Sequence, residues 1–486
     1  MKREIRAQTP RLRPLVACVA LALALSCAPS AGNDRGGAAL DRDASVAWRA
    51  DALAFLDAQD SRTHSTAAHA PSGSVLVTSC DDDGPGTLRQ AYRNAVTGDN
   101  IDLTQLTCST ITLTNGALED SPTAAEVTLQ GPGKYLLTID GGNADRVLIH
   151  RGGDTLHISG MTIENGSYTG VYGGGCIYSE ANVELFDTLV TGCSKHGTGA
   201  DTAFGGAIYA RRAASMFASQ IRDNHVDADS ANSAGAGVWA DAVNVSASTI
   251  SGNTASSADG THYARGGGVF SLTETEISYA TISDNEAISG AGVFLVGAAA
   301  YTMRIRNSTI SGNRASGAGG GVYAKYQPFA VANSTIAENT AGAQYGAGLF
   351  LAYATELEST IVANNTSQNG TFESDIGSPY AIAITGANNL VLASNQPLPA
   401  DTIAQDPMLG PLQDNGGSTM THALLPGSPA IDHGNNINGY QFDQRLFVLD
   451  TSQPYERVVG PAADIGAFES GAPDRVFVNG FDAESL

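Results

Sequence analysis

The sequence predicts an all-β solenoid, a parallel β-helix capped at both ends. Three observations predict it. A glycine-led motif returns every 24 to 31 residues, an asparagine-led motif falls between its copies, and no period has room for a helical pattern. The first motif is Gly-x-small-aliphatic-aromatic. It runs from Gly174 to Tyr178, Gly205 to Tyr209, Gly235 to Trp239, Gly266 to Phe270, Gly290 to Phe294, Gly319 to Tyr323 and Gly346 to Phe350. The second is Ser-Thr-Ile-x-x-Asn, ending at Asn253, Asn313, Asn339 and Asn364, with looser copies ending at Asn224 and Asn285. Two interleaved motifs that hold phase over seven turns mark a repeat architecture. The β-branched stretches suit strands, and Gly, Asn, Ser and Asp suit the corners between them. Coils stacked at the strand spacing of about 4.8 Å bring identical residues into ladders, with Ile and Val inside and Asn at a corner. A solenoid end exposes unpaired backbone and needs a cap.

Taken in order, residues 1–30 read as a signal peptide. Lys2, Arg3, Arg6, Arg11 and Arg13 precede an apolar run from Leu15 to Leu25 and then small residues. That run is too short for a bilayer, which takes about 20 residues. Ser26-Cys27 offers a lipoprotein-type alternative in which Cys27 carries lipid; cleavage among Ala28–Ala31 is the other route. Residues 31–73 form a flexible linker, 74–120 the N-terminal cap, 121–390 the repeats, 391–470 the C-terminal cap and 471–486 a tail. Export past residue 26 takes the formal charge from −23 to −27, and the body beyond Cys27 holds Cys80, Cys108, Cys176 and Cys193. An even number of cysteines in an oxidising compartment predicts disulfides. Four allow three pairings, and the sequence-local one, 80–108 with 176–193, is expected. Cys193 stands where other coils carry the corner Asn, and Cys176 where they carry Ala or Gly, both within the first full coil.

The charge balance excludes nucleic acid as a partner, since phosphate binding draws on Lys and Arg. Only Lys134, Lys195 and Lys325 follow the N-terminus. With 56 glycines among 486 residues and 15% charged residues, coiled coil and charge-driven disorder are excluded as well.

The repeats resemble those of polymorphic outer membrane proteins. The stretch from Cys80 through Arg89 to Ala91 resembles the entry segment of secreted bacterial right-handed β-helix proteins, and a Gly-Thr-Leu-Arg stretch also occurs in pectate lyases. Asp406–Gly417, Leu424–Asp432, Asp443-Gln-Arg445 and Asp464–Glu469 resemble the choice-of-anchor Q domain. The resemblance implies a right-handed β-helix on an exported protein, extracellular or at a bacterial outer-membrane surface, with no agreed activity.

For chemistry, Asp81-Asp82-Asp83 is the one run that could offer oxygen ligands to Ca²⁺; it reads as a solvated turn before a capping helix, and no metal or other cofactor is expected. The residues before the corner Asn are Asp223, Gly252, Asp284, Gly312 and Glu338. Carboxylates two coils apart, about 9.6 Å, do not share one Ca²⁺. The binding candidate is the aromatic row Tyr178, Tyr209, Trp239, Phe270, Phe294, Tyr323 and Phe350. Each follows an aliphatic residue, and neighbouring strand residues point to opposite faces. If the aliphatic row faces the core, the aromatic row faces out as a stacking platform for sugar rings; the other reading is an internal stack buried by a loop. In the C-terminal segment, Asp406, Asp432, Asp443, Arg445, Asp464 and Glu469 read as a cap whose carboxylates take backbone N–H groups and pair with Arg445. The expected function is adhesion or glycan contact by an exported surface protein without evident catalysis. A polysaccharide lyase or glycoside hydrolase is the alternative.

Overall fold

The computed structural model describes residues 73–471, apart from 172, 261, 298–302, 327, 343–345, 368–373 and 448–452. The expected signal peptide, the linker, Cys27 and the tail lie outside the described residues. Those described form a parallel β-solenoid, nearly all β, whose only α-helix is Leu88–Arg93. A full coil has the same plan throughout. Ile208–Phe217 runs along the first sheet, Gln220–Arg222 joins the second and His225–Ala228 the third, each paired in parallel with the next coil at Val238–Ser246, Thr249–Ser251 and Thr254–Ser257.

The core follows from alternation along these short strands. Ile177, Ile208, Val238, Val269, Val293, Val322 and Leu349 are mutually aligned and fully buried. So are Ile221, Ile250, Ile282, Ile310 and Ile336 in the second sheet. The third sheet backs a smaller core of Val226 and alanines. In the first full coil its inward position is held by Lys195, whose ammonium donates to Gly170 O at 2.7 Å and His196 O at 2.6 Å. Burial lowers its pKa to about 8.

Three corners per coil take left-handed backbone, illustrated by Ala218, Asp223 and Gly235 with φ of 50°, 58° and 68°. The corner asparagines form the predicted ladder, fully buried. The side-chain oxygen of each accepts the backbone N–H and the side-chain amide of the Asn one coil before, from Asn224 through Asn253, Asn285, Asn313 and Asn339 to Asn365. Asp375 ends it, accepting both donors of Asn365. The ladder corrects one reading: Asn365, not Asn364, holds the corner in the last copy. There Ile361 aligns with Thr335 and Val362 with Ile336, one residue off the motif's spelling. An apolar residue is tolerated at the outward Ile361 because Leu424 and Ile465 cover it. At the other end, Cys193 donates its N–H to Asn224 Oδ1 at 3.0 Å and bonds to Cys176.

A second ladder turns the preceding corner. The hydroxyls of Ser219, Ser248, Ser308 and Ser334 each accept a backbone N–H from the coil before and donate to the carbonyl two residues upstream.

At the N-terminal end, Leu88–Arg93 starts at Thr87, whose hydroxyl accepts Gln90 N–H. The triple-aspartate run is a bend before the capping helix with Asp81 and Asp83 exposed, but Asp82 departs from the expected solvated turn. Its side chain is largely covered and pairs with Arg89 at 2.6 Å, while its second oxygen accepts Thr114 N–H, Thr114 Oγ1–H and Asn115 N–H. Those contacts hold its carboxyl below the usual range against the opposing effect of burial. Cys80–Cys108 ties the same region. At the C-terminal end, the residues after Leu390–Val391 seal the last coil, with Ile403 accepting Val391 N–H through its carbonyl. The chain then folds back along the outer face of the second sheet, as two antiparallel hairpins with their connections. Gln444 bonds to Thr309 and Thr281, His422 to Ser311, Ala467 N–H to Thr335 and Asn435 to Ser359. The outer threonines and serines of four coils are thereby buried.

Candidate functional site

The first sheet brings all seven predicted aromatic residues into one row. Tyr178, Tyr209, Trp239, Phe270, Phe294, Tyr323 and Phe350 are direct partners in successive strands. They point away from the core, since each alternates with a core aliphatic. The rings lie nearly parallel, with centroids 4.5–6.3 Å apart along the row. Offset stacking at these distances is favourable, and it places ring against ring. A sugar ring would have to displace a neighbour to reach a face. Phe204, Leu272 and Val296 pack around the middle of the row, so Trp239, Phe270 and Phe294 are buried, whereas Tyr209, Tyr323 and Phe350 are half-buried. Tyr178 is buried too, its hydroxyl donating to Glu180 at 2.7 Å; burial, then that contact, raises its pKa.

Two residues past the row, the corner carries charges of alternating sign: Arg151, Glu180 and Arg211, joined at 3.6 and 3.4 Å, with Glu119 on Arg151 at 2.8 Å. These groups are partly exposed, and such pairs add little stability.

Three residues past the row, the later coils carry a feature that the motif reading missed. Tyr326, Tyr353 and Tyr380 follow the aligned Val322, Leu349 and Ile376 by the same four residues. They are 55%, 50% and 61% exposed. Their 27-residue spacing was visible in the sequence, but the motif ends at the aromatic residue of the row and stops short of them. Among the described residues no ring stacks on these three; Lys325 lies 4.6 Å from the Tyr326 centroid.

The alternation of carboxylate and glycine before the corner Asn has a steric origin. These positions are left-handed, with φ of 58°, 66°, 56°, 70° and 59° from Asp223 to Glu338. A Cβ on Gly252 would lie 2.6 Å from Asp223 Oδ1, and one on Gly312 would lie 2.7 Å from Asp284 Oδ1. Each aspartate folds over the next coil, so the next coil needs glycine.

In the C-terminal segment the charges meet in a buried network. Asp443 pairs with Arg445 at 2.6 Å and accepts the N–H of Arg445 and of Glu469. Arg445 lies between the rings of Tyr455 and Phe468, 4.0 and 3.9 Å from their centroids. Glu469 accepts Val459 and Asp464 N–H and faces Arg457 at 3.3 Å, yet burial pushes its carboxyl up to about 7. Asp464 accepts Asp432 and Ser470 N–H. Asp406 stays apart, capping Met408 N–H.

Among the described residues no helix is long and apolar enough to cross a membrane. Comparison with protein-family models and with curated proteins finds no match for this chain.

Proposed function

We propose that this chain is an exported protein, held at or released from a bacterial surface, that contacts extracellular glycan through the outside of its solenoid. The observation that carries the reading is the row Tyr326, Tyr353 and Tyr380, half or more exposed on successive coils. A tyrosine offers an apolar face and a polar tip, the combination that suits a sugar ring and its hydroxyls. Tyr323 and Phe350, the half-buried end of the stacked ladder, lie three residues before Tyr326 and Tyr353 and back the same surface. The N-terminal sequence pattern and the two disulfides support export, and the resemblance to choice-of-anchor Q proteins supports a surface location.

A glycan array of the wild type against Tyr326→Ala/Tyr353→Ala/Tyr380→Ala tests it, with thermal unfolding to verify the fold. Loss of binding in a folded variant is expected. Unchanged binding overturns the reading, and release of unsaturated or shortened oligosaccharides, with or without Ca²⁺, would replace it with the lyase or hydrolase alternative.

A further inference from the structure

The outer face of the second sheet is covered from both ends of the chain, and the two covers do not meet. From the N-terminal side, the loop 131–137 reaches along the solenoid. Its Lys134 carbonyl accepts the Thr162 hydroxyl, Lys134 Nζ donates to Ala218 O at 3.0 Å and pairs with Asp187 at 3.3 Å, and the Tyr135 hydroxyl accepts Gln220 Nε2–H at 3.0 Å. From the C-terminal side, the folded-back segment reaches as far as Thr281, whose hydroxyl donates to Met420 O at 2.6 Å. Gln220, Thr249 and Thr281 are consecutive neighbours in the sheet. One coil, Thr249–Ser251, is therefore left open between two walls. The walls stand on strands two spacings apart, about 10 Å between backbones.

The slot's chemistry is specific. Its floor presents the half-buried Thr249, Ser251 and Gln220, all uncharged. Beside it stand Tyr135, 69% exposed and tied by its hydroxyl to Gln220, and Met420, 49% exposed, whose carbonyl accepts from Thr281. At its mouth Arg222 and Asp223 neutralise each other at 2.7 Å. Every strand of the floor is paired on both sides, so a peptide finds no backbone edge to extend.

We infer that this slot binds a neutral glycan chain, its hydroxyls on the Thr249–Ser251 floor and one sugar face on Tyr135. The inference rests on the reading of the chain as a glycan-contacting protein and adds a second site with a stated ligand class. The mouth's paired charges and the chain's net charge of −23 disfavour an anionic sugar.

The test is titration calorimetry of the mature protein with cellohexaose, xylohexaose and laminarihexaose, and with an oligogalacturonate as the anionic control. Thr249→Tyr fills the slot from a half-exposed strand position that tolerates an aromatic residue, and Tyr135→Ala removes a wall. At least one neutral hexasaccharide should bind, weakened about tenfold or more by either substitution, while the Tyr326/Tyr353/Tyr380 triple variant leaves that binding intact. Binding lost only in the triple variant would place the ligand on the tyrosine row and refute the slot while keeping the general reading. No neutral binding, or tighter binding of oligogalacturonate, overturns the inference.

Discussion

Replacing Asn285 with alanine should be among the most damaging single changes in the solenoid, and the structure sets the size of the effect. Asn285 is fully buried and its side chain makes four hydrogen bonds. It accepts from Asn253 N at 3.0 Å and Asn253 Nδ2 at 2.9 Å, and donates to Ile250 O at 3.0 Å and Asn313 Oδ1 at 2.9 Å. Alanine leaves two buried donors on Asn253 without an acceptor. At ~1–3 kcal/mol for each orphaned group, the loss is about 4 kcal/mol. An outward substitution such as Thr249→Ala should stay within ~0.5 kcal/mol. Urea unfolding followed by fluorescence gives the difference, and hydrogen exchange at the Asn253 amide localises it. Asn285→Asp sharpens the reasoning. It keeps the acceptor but loses both donors, setting a carboxylate oxygen against Asn313 Oδ1 and Ile250 O. It should therefore cost more than alanine. At the ladder's end the preference reverses, because Asp375 Oδ2 accepts Ala393 N–H at 2.9 Å. Asp375→Asn would turn an amide toward that donor and cost ~1–3 kcal/mol. An Asn285→Ala protein as stable as wild type, or Asn285→Asp more stable than Asn285→Ala, would refute the account.

Further outcomes follow from the same geometry. Gly252→Ala should cost ~1–2 kcal/mol through its left-handed backbone and more through the Asp223 contact; adding Asp223→Gly should recover the second part, as a double-mutant cycle in urea would read. Lys195 titrates at about 8 in the fold against 10.5 unfolded. Below pH 8 it is protonated in both states; above that the unfolded chain holds a proton the fold lacks, so stability rises with pH. Relative to Lys195→Met, the wild type should gain about 2 kcal/mol between pH 7 and 9.5, and a flat difference would contradict this. Cys176→Ala/Cys193→Ala opens a 17-residue link and should lower stability by about 3 kcal/mol in denaturant titrations. Arg445→Met strands Asp443 and should cost ~3–5 kcal/mol within the C-terminal segment, seen as faster exchange in residues 409–470 before the solenoid responds.

What the sequence made legible is whatever stacks on its own copy one coil away. The Ile and Val columns, the corner asparagines and the aromatic row must each repeat because each residue's partner is its own equivalent, so periodicity exposed them together with the solenoid. Asn364 shows the limit. The spelling Ser-Thr-Ile-Val-Ala-Asn fits the motif, yet Asn365 takes the corner because Ile361 gains cover from Leu424 and Ile465, residues far along the chain. The same non-local packing hid the folded-back segment. Its charged residues stood out, and their pairing around Arg445 was readable, but nothing in a repeat says which outer face a later segment will lie on. Asp82 was misread as solvated for the same reason, since its partners Thr114 and Asn115 lie about 30 residues on.

This division bears on where function sits. A side chain in a ladder is committed: the Asp223 carboxylate occupies the space above Gly252, the stacked aromatic rings cover one another's faces, and the corner Asn has no free donor. Regular repetition is thus a poor guide to a binding residue in such a fold, because the repetition is itself the mark of a structural partner in the next coil. The informative residues are those that share the coil period without stacking ring on ring, such as Tyr326, Tyr353 and Tyr380, or that stand where two unrelated segments leave a coil uncovered, such as Thr249. The tyrosines lie outside both motifs, and Thr249, though a motif residue, sits half-buried on the outer face of its strand, so both sites accept substitution without loss of fold. That makes binding at either one separable from stability by experiment.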